Sequence, residues 1–284
     1  MEVDGSRQGP VGDGARRASR DLPWSRSPLA GLAREGFLTL VLRPVVRHYG
    51  HPRVAGLEHL RGLAPPFLLA ANHASHLDTA AILLALPRRL RRRTLVAAAA
   101  DHFFDQPLKG ALVALAVGAV ALERRRAPRE SVELARRLLG DGWNLVVFPE
   151  GSRSLDGRLH AGKRGTALLA AAARVPVVPV GLLGTFAILP AGDHWPSRGQ
   201  VEVRFGEPLL PAAPGRAAQG RWGLRAATDR IMASIQGLTG QDLTVEPPPV
   251  GRERPLDWMS PGGPVGPGSR DGELGPLGAA RPRG

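Results

Sequence analysis

From residue 53 onward the chain alternates short apolar runs with segments of helical period, and no other feature restricts its fold as much. Residues 67–71, 95–99, 119–122, 145–148 and 177–183 read as buried strands, and residues 201–205 alternate apolar with polar side chains as a half-exposed strand does. Residues 79–86, 109–117, 128–139 and 166–173 read as helices between them, the third opening on Pro128 with Gly140 just past its end. Leu224, Thr228, Ile231 and Ile235 mark a last helix ending near Gly237. Strands and helices in alternation predict an α/β domain: a central, mostly buried mixed sheet flanked by helices. In such sheets chemistry gathers in the loops that leave the carboxyl ends of strands.

The ends of the chain read differently. Residues 239–284 hold 9 prolines and 10 glycines and residues 1–22 are short of large apolar side chains, so both are expected to be disordered. The organisation expected is therefore a disordered segment 1–22, an amphipathic helical segment 23–50, a catalytic domain 51–238 and a disordered tail 239–284. Within the second segment, Leu29, Leu32, Ala33, Phe37, Leu40 and Val41 recur at helical spacing. Arg34 and Glu35 fall on the other side, and Pro44 ends the pattern. With Trp24 and Arg26 ahead of it, this helix fits either a bilayer interface or the surface of the body.

Composition removes several classes. With Cys 0 the chain has no disulfide scaffold, thiolate metal site or cysteine nucleophile. The one long charge-free run, 18 residues from Val175 to Gly192, contains Pro176, Pro179 and Pro190 and cannot be a continuous lipid-facing helix. No secretory signal is evident, and the chain does not read as membrane-spanning. The net charge is +13, concentrated in Arg88, Arg89, Arg91, Arg92 and Arg93 and in Arg124, Arg125, Arg126 and Arg129. Such clusters attract phosphate or an anionic surface, or form a solvated face. No nucleic-acid partner is expected, because only 5% of residues are aromatic and none is interleaved with these clusters.

Three loops leaving predicted strands carry the chemistry. In the first, residues 72–78, His73 and Asp78 would lie about 140° apart on one continuous helix and could not meet. They meet if His73 lies in the turn and the helix starts between them, with Ser75 as its N-cap. Asp78 then fixes the imidazole tautomer and leaves the other nitrogen basic, as a general base requires. Ser75 and Asp78 also make a capping-box pattern, in which Asp78 serves only the helix. His73 and His76 lack a third ligand at a supporting spacing, so no metal is expected. In the second loop, Glu150 can accept from hydroxyls, Gly151 admits a close ligand and Arg153 offers a planar fork to phosphate. Lys163 follows, just ahead of a helix N-terminus. The third loop delivers Arg124 from the end of the 119–122 strand.

Taken together, residues 72–78 resemble the NHxSxxD form of the H-x4-D motif of the glycerolipid acyltransferases, the family of bacterial 1-acylglycerol-3-phosphate acyltransferases. Residues 118–124 resemble that family's second block, with Glu123 where aspartate is usual. Residues 148–154 resemble its FPEGTRS block with Ser152 in place of threonine, and residues 175–180 its fourth block. Stretches 54–58 and 205–208 are similar to its flanking segments, so the resemblance runs from about residue 53 to 238. Ala161 stands where phenylalanine is frequent.

The resemblance implies that His73 is the general base and Asp78 its orienting partner. It implies that Arg124, Glu150, Gly151, Ser152, Arg153 and Lys163 bind a phosphorylated glycerol acceptor. The activity implied is transfer of a fatty acyl group from a thioester, acyl-CoA or acyl carrier protein, to lysophosphatidic acid. No cofactor is expected beyond that co-substrate, and the location implied is peripheral, on the cytoplasmic face of an anionic cell membrane. Another lysolipid or glycerol 3-phosphate as acceptor, and a non-catalytic lipid-binding module, are the alternatives.

Overall fold

A computed structural model describes residues 21–99, 107–122, 128–190, 193, 195–210 and 221–244. In chain order the helices are α1 (Pro28–Phe37), α2 (Arg43–Gly50), α3 (Asp78–Ala85), α4 (Arg88–Arg91), α5 (Pro107–Val117), α6 (Pro128–Gly140), α7 (Gly165–Ala173), α8 (Thr185–Ile188) and α9 (Arg221–Thr239). The strands are β1 (Arg53–Ala55), β2 (Leu68–Ala71), β3 (Thr94–Ala99), β4 (Ala119–Leu122), β5 (Asn144–Val147), β6 (Leu159–His160), β7 (Val177–Leu183), β8 (Glu202–Phe205) and β9 (Leu243–Thr244).

Seven strands form one sheet in the order β1-β8-β7-β2-β5-β3-β4, while β6 pairs with β9 apart from it. Every pair in the large sheet is parallel except β7 with β8, so the expected mixed sheet is observed. Its centre is apolar on both faces, as a helix-covered parallel sheet must be. Along β2, Leu69 and Ala71 enter one core with Ile82, Leu83 and Phe205, and Leu68 and Ala70 enter the other with Leu138 and Ile235. Since β2 lies between β5 and β7 and runs parallel to both, the loops following β2 and β5 emerge side by side at one edge. Asn72, at the end of β2, fixes that edge: its amide donates to the Leu182 carbonyl at 2.9 Å and accepts from the Leu182 amide at 2.7 Å.

The N-terminal segment departs from its sequence reading at Pro44. The helix does not end there. Residues 38–42 form a wider turn in which the Arg43 amide reaches back to the Leu38 carbonyl, and α2 continues through Pro44 to Gly50. A wide turn of this kind accommodates the proline's missing N–H. The sequence left open which way the apolar face points. Arg34 and Glu35 are buried, whereas Leu29, Leu32, Leu40 and Val41 are exposed, Leu29 and Leu40 by 79%.

The physical reason is polar capping. The Arg34 guanidinium donates to the carbonyls of Ala114 and Leu115 at the carboxyl end of α5, and to that of Ser25. Glu35 pairs with Arg91, which holds its carboxyl below the ordinary range. The 88–93 cluster is thus partly structural, although Arg89, Arg92 and Arg93 remain exposed. No helix among the described residues is long and apolar enough to cross a membrane.

At the other end, the expected boundary at residue 238 falls inside α9, which runs to Thr239 and is followed by β9. The tail is described as far as residue 244; its remainder, and the segment 1–20, lie outside the described residues.

Candidate active site

The turn after β2 and the start of α3 bring His73 and Asp78 together as the spacing requires. His73 Nδ1 lies 2.9 Å from Asp78 Oδ2, and Asp78 is fully buried. The same oxygen accepts the amides of Ala74 at 2.7 Å and Ser75 at 2.8 Å. One Asp78 oxygen thus both closes the turn and contacts the imidazole, so Asp78 does not serve the helix alone. Ser75 is not the helix cap, because α3 begins at Asp78 with Leu77 before it. The Ser75 hydroxyl instead donates to the Leu189 carbonyl at 2.6 Å and accepts the Leu77 amide at 3.0 Å.

A second contact fixes the ring plane. Phe148, at the end of β5, stacks on His73 with 3.8 Å between centroids and 16° between planes. With Nδ1 committed to Asp78, Nε2 is the nitrogen left for chemistry in the adjoining cleft, which His73 lines.

The loop after β5 wraps this turn. Glu150 is fully buried, and its oxygens accept the backbone amides of His73 at 2.8 Å and His160 at 3.0 Å. Burial pushes its carboxyl up to about 7, even though those amides pull the other way. Expected on the acceptor, Glu150 in fact does not line the cleft; it joins the His73 turn to the loop. The His73 carbonyl is held by the same loop, accepting the Ser154 amide at 2.7 Å. Burial works against the charge on Asp156, but hydrogen bonds from Ser154, His160 and the Arg158 amide prevail and hold its carboxyl at about 2. The supporting groups His160 and Asp156 were not singled out in the sequence; only Glu150, which touches the His160 backbone, carried a signal there.

The remaining site residues divide. Gly151, Arg153 and Lys163 line the cleft with His73, whereas Ser152 is exposed and outside it. Gly151 has φ +79°, and a Cβ there would sit 2.8 Å from Lys163 Nζ. Arg153 is buried, its Nη1 2.6 Å from His76 Nε2. Arg124 lies outside the described residues. The cleft itself measures about 810 Å³ and is mainly apolar, with Phe37 and Val45 on one wall, Val113 and Val117 on another, and Leu168 and Leu169 on a third. Hydrocarbon can therefore approach a basic imidazole and two fixed cations.

The chain is similar to known proteins in both sequence and fold. Residues 51–183 match the family model described as Acyltransferase. A chloroplastic 1-acyl-sn-glycerol-3-phosphate acyltransferase of Brassica napus is 34% identical over 161 residues, covering 55% of this chain and 44% of the relative. The human 1-acyl-sn-glycerol-3-phosphate acyltransferase alpha is 29% identical over 185 residues, covering 62% and 60%. The chain thus spans less than half the length of the first of these. A crystal structure titled as the 1-acyl-sn-glycerophosphate acyltransferase PlsC from Thermotoga maritima shares the fold with a TM-score of 0.56, at 22% identity, over 77% of this chain and 82% of that one.

Proposed function

We propose, from the match of residues 51–183 to the family model described as Acyltransferase, that the chain moves a fatty acyl group from a thioester to the free hydroxyl of 1-acylglycerol 3-phosphate, giving phosphatidic acid. The observation that carries the reading is the His73–Asp78 pair, 2.9 Å apart, at the wall of an apolar cleft of about 810 Å³.

The Asp78 carboxylate accepts the Nδ1 proton, so His73 presents the Nε2 lone pair. That lone pair removes the acceptor hydroxyl's proton as the oxygen attacks the thioester carbonyl. The tetrahedral adduct collapses by breaking the C–S bond, and the thiolate recovers the proton from the imidazolium, which the buried carboxylate stabilises meanwhile. A thioester is already activated, so the sequence's lack of cysteine is no obstacle. Arg153 and Lys163 bind the acceptor phosphate, and the apolar walls take the acyl chains. The acyl donor is acyl-CoA or acyl carrier protein, with no further cofactor.

Both lipids reside in a bilayer, and the exposed Leu29, Leu32, Leu40 and Val41 support peripheral docking at an anionic cytoplasmic membrane face, with Phe37 and Val45 continuing from that surface into the cleft. Mass spectrometry of lipids formed from mixed lysolipid acceptors and long-chain acyl-CoA tests the reaction. Phosphatidic acid is the expected product. A positioned base contributes about 10²–10⁴ in rate, so His73→Ala should lose at least that while remaining folded. Near wild-type turnover in that variant would refute the mechanism.

A further inference from the structure

The polar core beneath the base does not end at Glu150. Its Oε2 holds the His160 amide, and His160 belongs to β6, whose only strand partner among the described residues is β9. The two pair in parallel, Leu159 opposite Leu243 and His160 opposite Thr244, and the Ala161 amide donates to the Thr244 carbonyl at 3.1 Å. Two residue pairs further out, the Gln241 side-chain amide donates to the Gly157 carbonyl at 3.1 Å. The chain reaches this position because Gly240, at φ +68°, ends α9 and turns it back onto the loop, while Leu243 packs on the core.

We propose that residues 241–244 are a strap that positions the general base and the acceptor loop. It acts through a continuous path of hydrogen bonds from Thr244 and Ala161, past His160 and Glu150, to the backbone of His73. Gln241, Leu243 and Thr244 do not line the cleft, so they are positioning residues that touch no substrate. Two-residue strands are too short to order themselves, and β6 is held in register by its partner and by the Glu150 tie together. The segment between them, residues 150–163, carries Gly151, Arg153 and Lys163 as well as both contacts to the His73 main chain. Undocking the strap therefore loosens base and phosphate site at once, while the large sheet and the apolar walls stay as they are. The positioning of His73 and the loop follows from geometry alone; the catalytic consequence rests on the acyltransferase reading above.

The test uses the full chain. Leu243→Asp places a charge at the packed position and should release the strand, whereas Leu243→Val keeps the pairing. In Leu243→Asp, hydrogen exchange should show lost protection at the amides of His160 and Ala161 with β2 and β5 unchanged. Turnover should fall at least about tenfold, a fraction of the 10²–10⁴ available from a positioned base. The acceptor KM should rise and the donor KM stay level, and Leu243→Val should remain within twofold of wild type. Retained protection, or lost protection with unchanged turnover, would overturn the strap. If the wild-type chain does not acylate lysophosphatidic acid, the acyltransferase reading fails by itself. The strap is then read from the His73 ring titration by NMR, which must differ between Leu243→Asp and wild type; an identical titration overturns it.

Discussion

Glu150→Gln separates positioning from stability, because the structure makes the two effects oppose each other. In the native chain each carboxylate oxygen accepts one backbone amide, from His73 and from His160. Glutamine keeps one accepting oxygen and turns an NH₂ toward the other amide. One buried N–H then faces a donor, a loss of about 1–3 kcal/mol. The carboxylate is itself expensive to hold: a carboxyl moved from 4.5 to about 7 by burial corresponds to roughly 3 kcal/mol above neutral pH. Glutamine removes that penalty, so at pH 8 the melting temperature should change little. Activity has no such compensation, since either cut tie, at the His73 amide or at the His160 amide, breaks the link that Glu150 makes between the His73 turn and the 159–160 strand. Expected turnover is about tenfold to a hundredfold lower, from the 1–3 kcal/mol loss.

The pH dependence gives an independent check. The folded chain holds the Glu150 proton more tightly than an unfolded chain, whose value is near 4.5. The wild type therefore loses stability as pH rises from about 4.5 through about 7, and Glu150→Gln should remove that portion of the slope. Thermal melts across this range, paired with turnover at pH 8, provide the assay. Turnover within twofold of wild type, or an unaltered stability slope, would refute the reasoning.

Two further outcomes are expected. Arg153→Ala should raise the acceptor KM about tenfold to a hundredfold through loss of a charge-assisted contact of about 1.5–3 kcal/mol, with the donor KM unchanged, as steady-state kinetics with each substrate varied will show. Replacing Leu29 and Leu40, both 79% exposed, by aspartate should leave the melting temperature unchanged while lowering flotation with phosphatidylglycerol vesicles about a hundredfold or more, at about 1.5–3 kcal/mol per leucine. Unchanged flotation would remove the docking surface from the proposal.

Much of the architecture was legible because its signal is local. The apolar runs at 119–122 and 177–183 match β4 and β7 in full, since a strand covered on both faces needs continuous apolar side chains. The five-residue interval between His73 and Asp78 was likewise decisive, because only a turn followed by a helix start brings the two within hydrogen-bond reach. The orientation of α1 was not legible. Periodicity identifies an apolar stripe, but which face turns inward depends on partners far away in the chain: Ala114, Leu115 and Arg91. The strand at 243–244 was hidden by the prolines and glycines that follow it, for two residues carry no periodicity of their own.

Sequence by itself determined the kind of sheet, the loops that emerge from it and the pairing of an imidazole with a carboxylate, because each depends on side chains close together along the chain. Tertiary structure alone decided that Glu150 is a buried tie between the His73 and His160 amides, that a helix turns its ionic side inward, and that the last described residues pair with the strand at 159–160. Those outcomes depend on which backbone amides and carbonyls lack partners once the strands have assembled, and that is set across separations of 77 residues for Glu150 with His73 and 81 for Arg34 with Leu115.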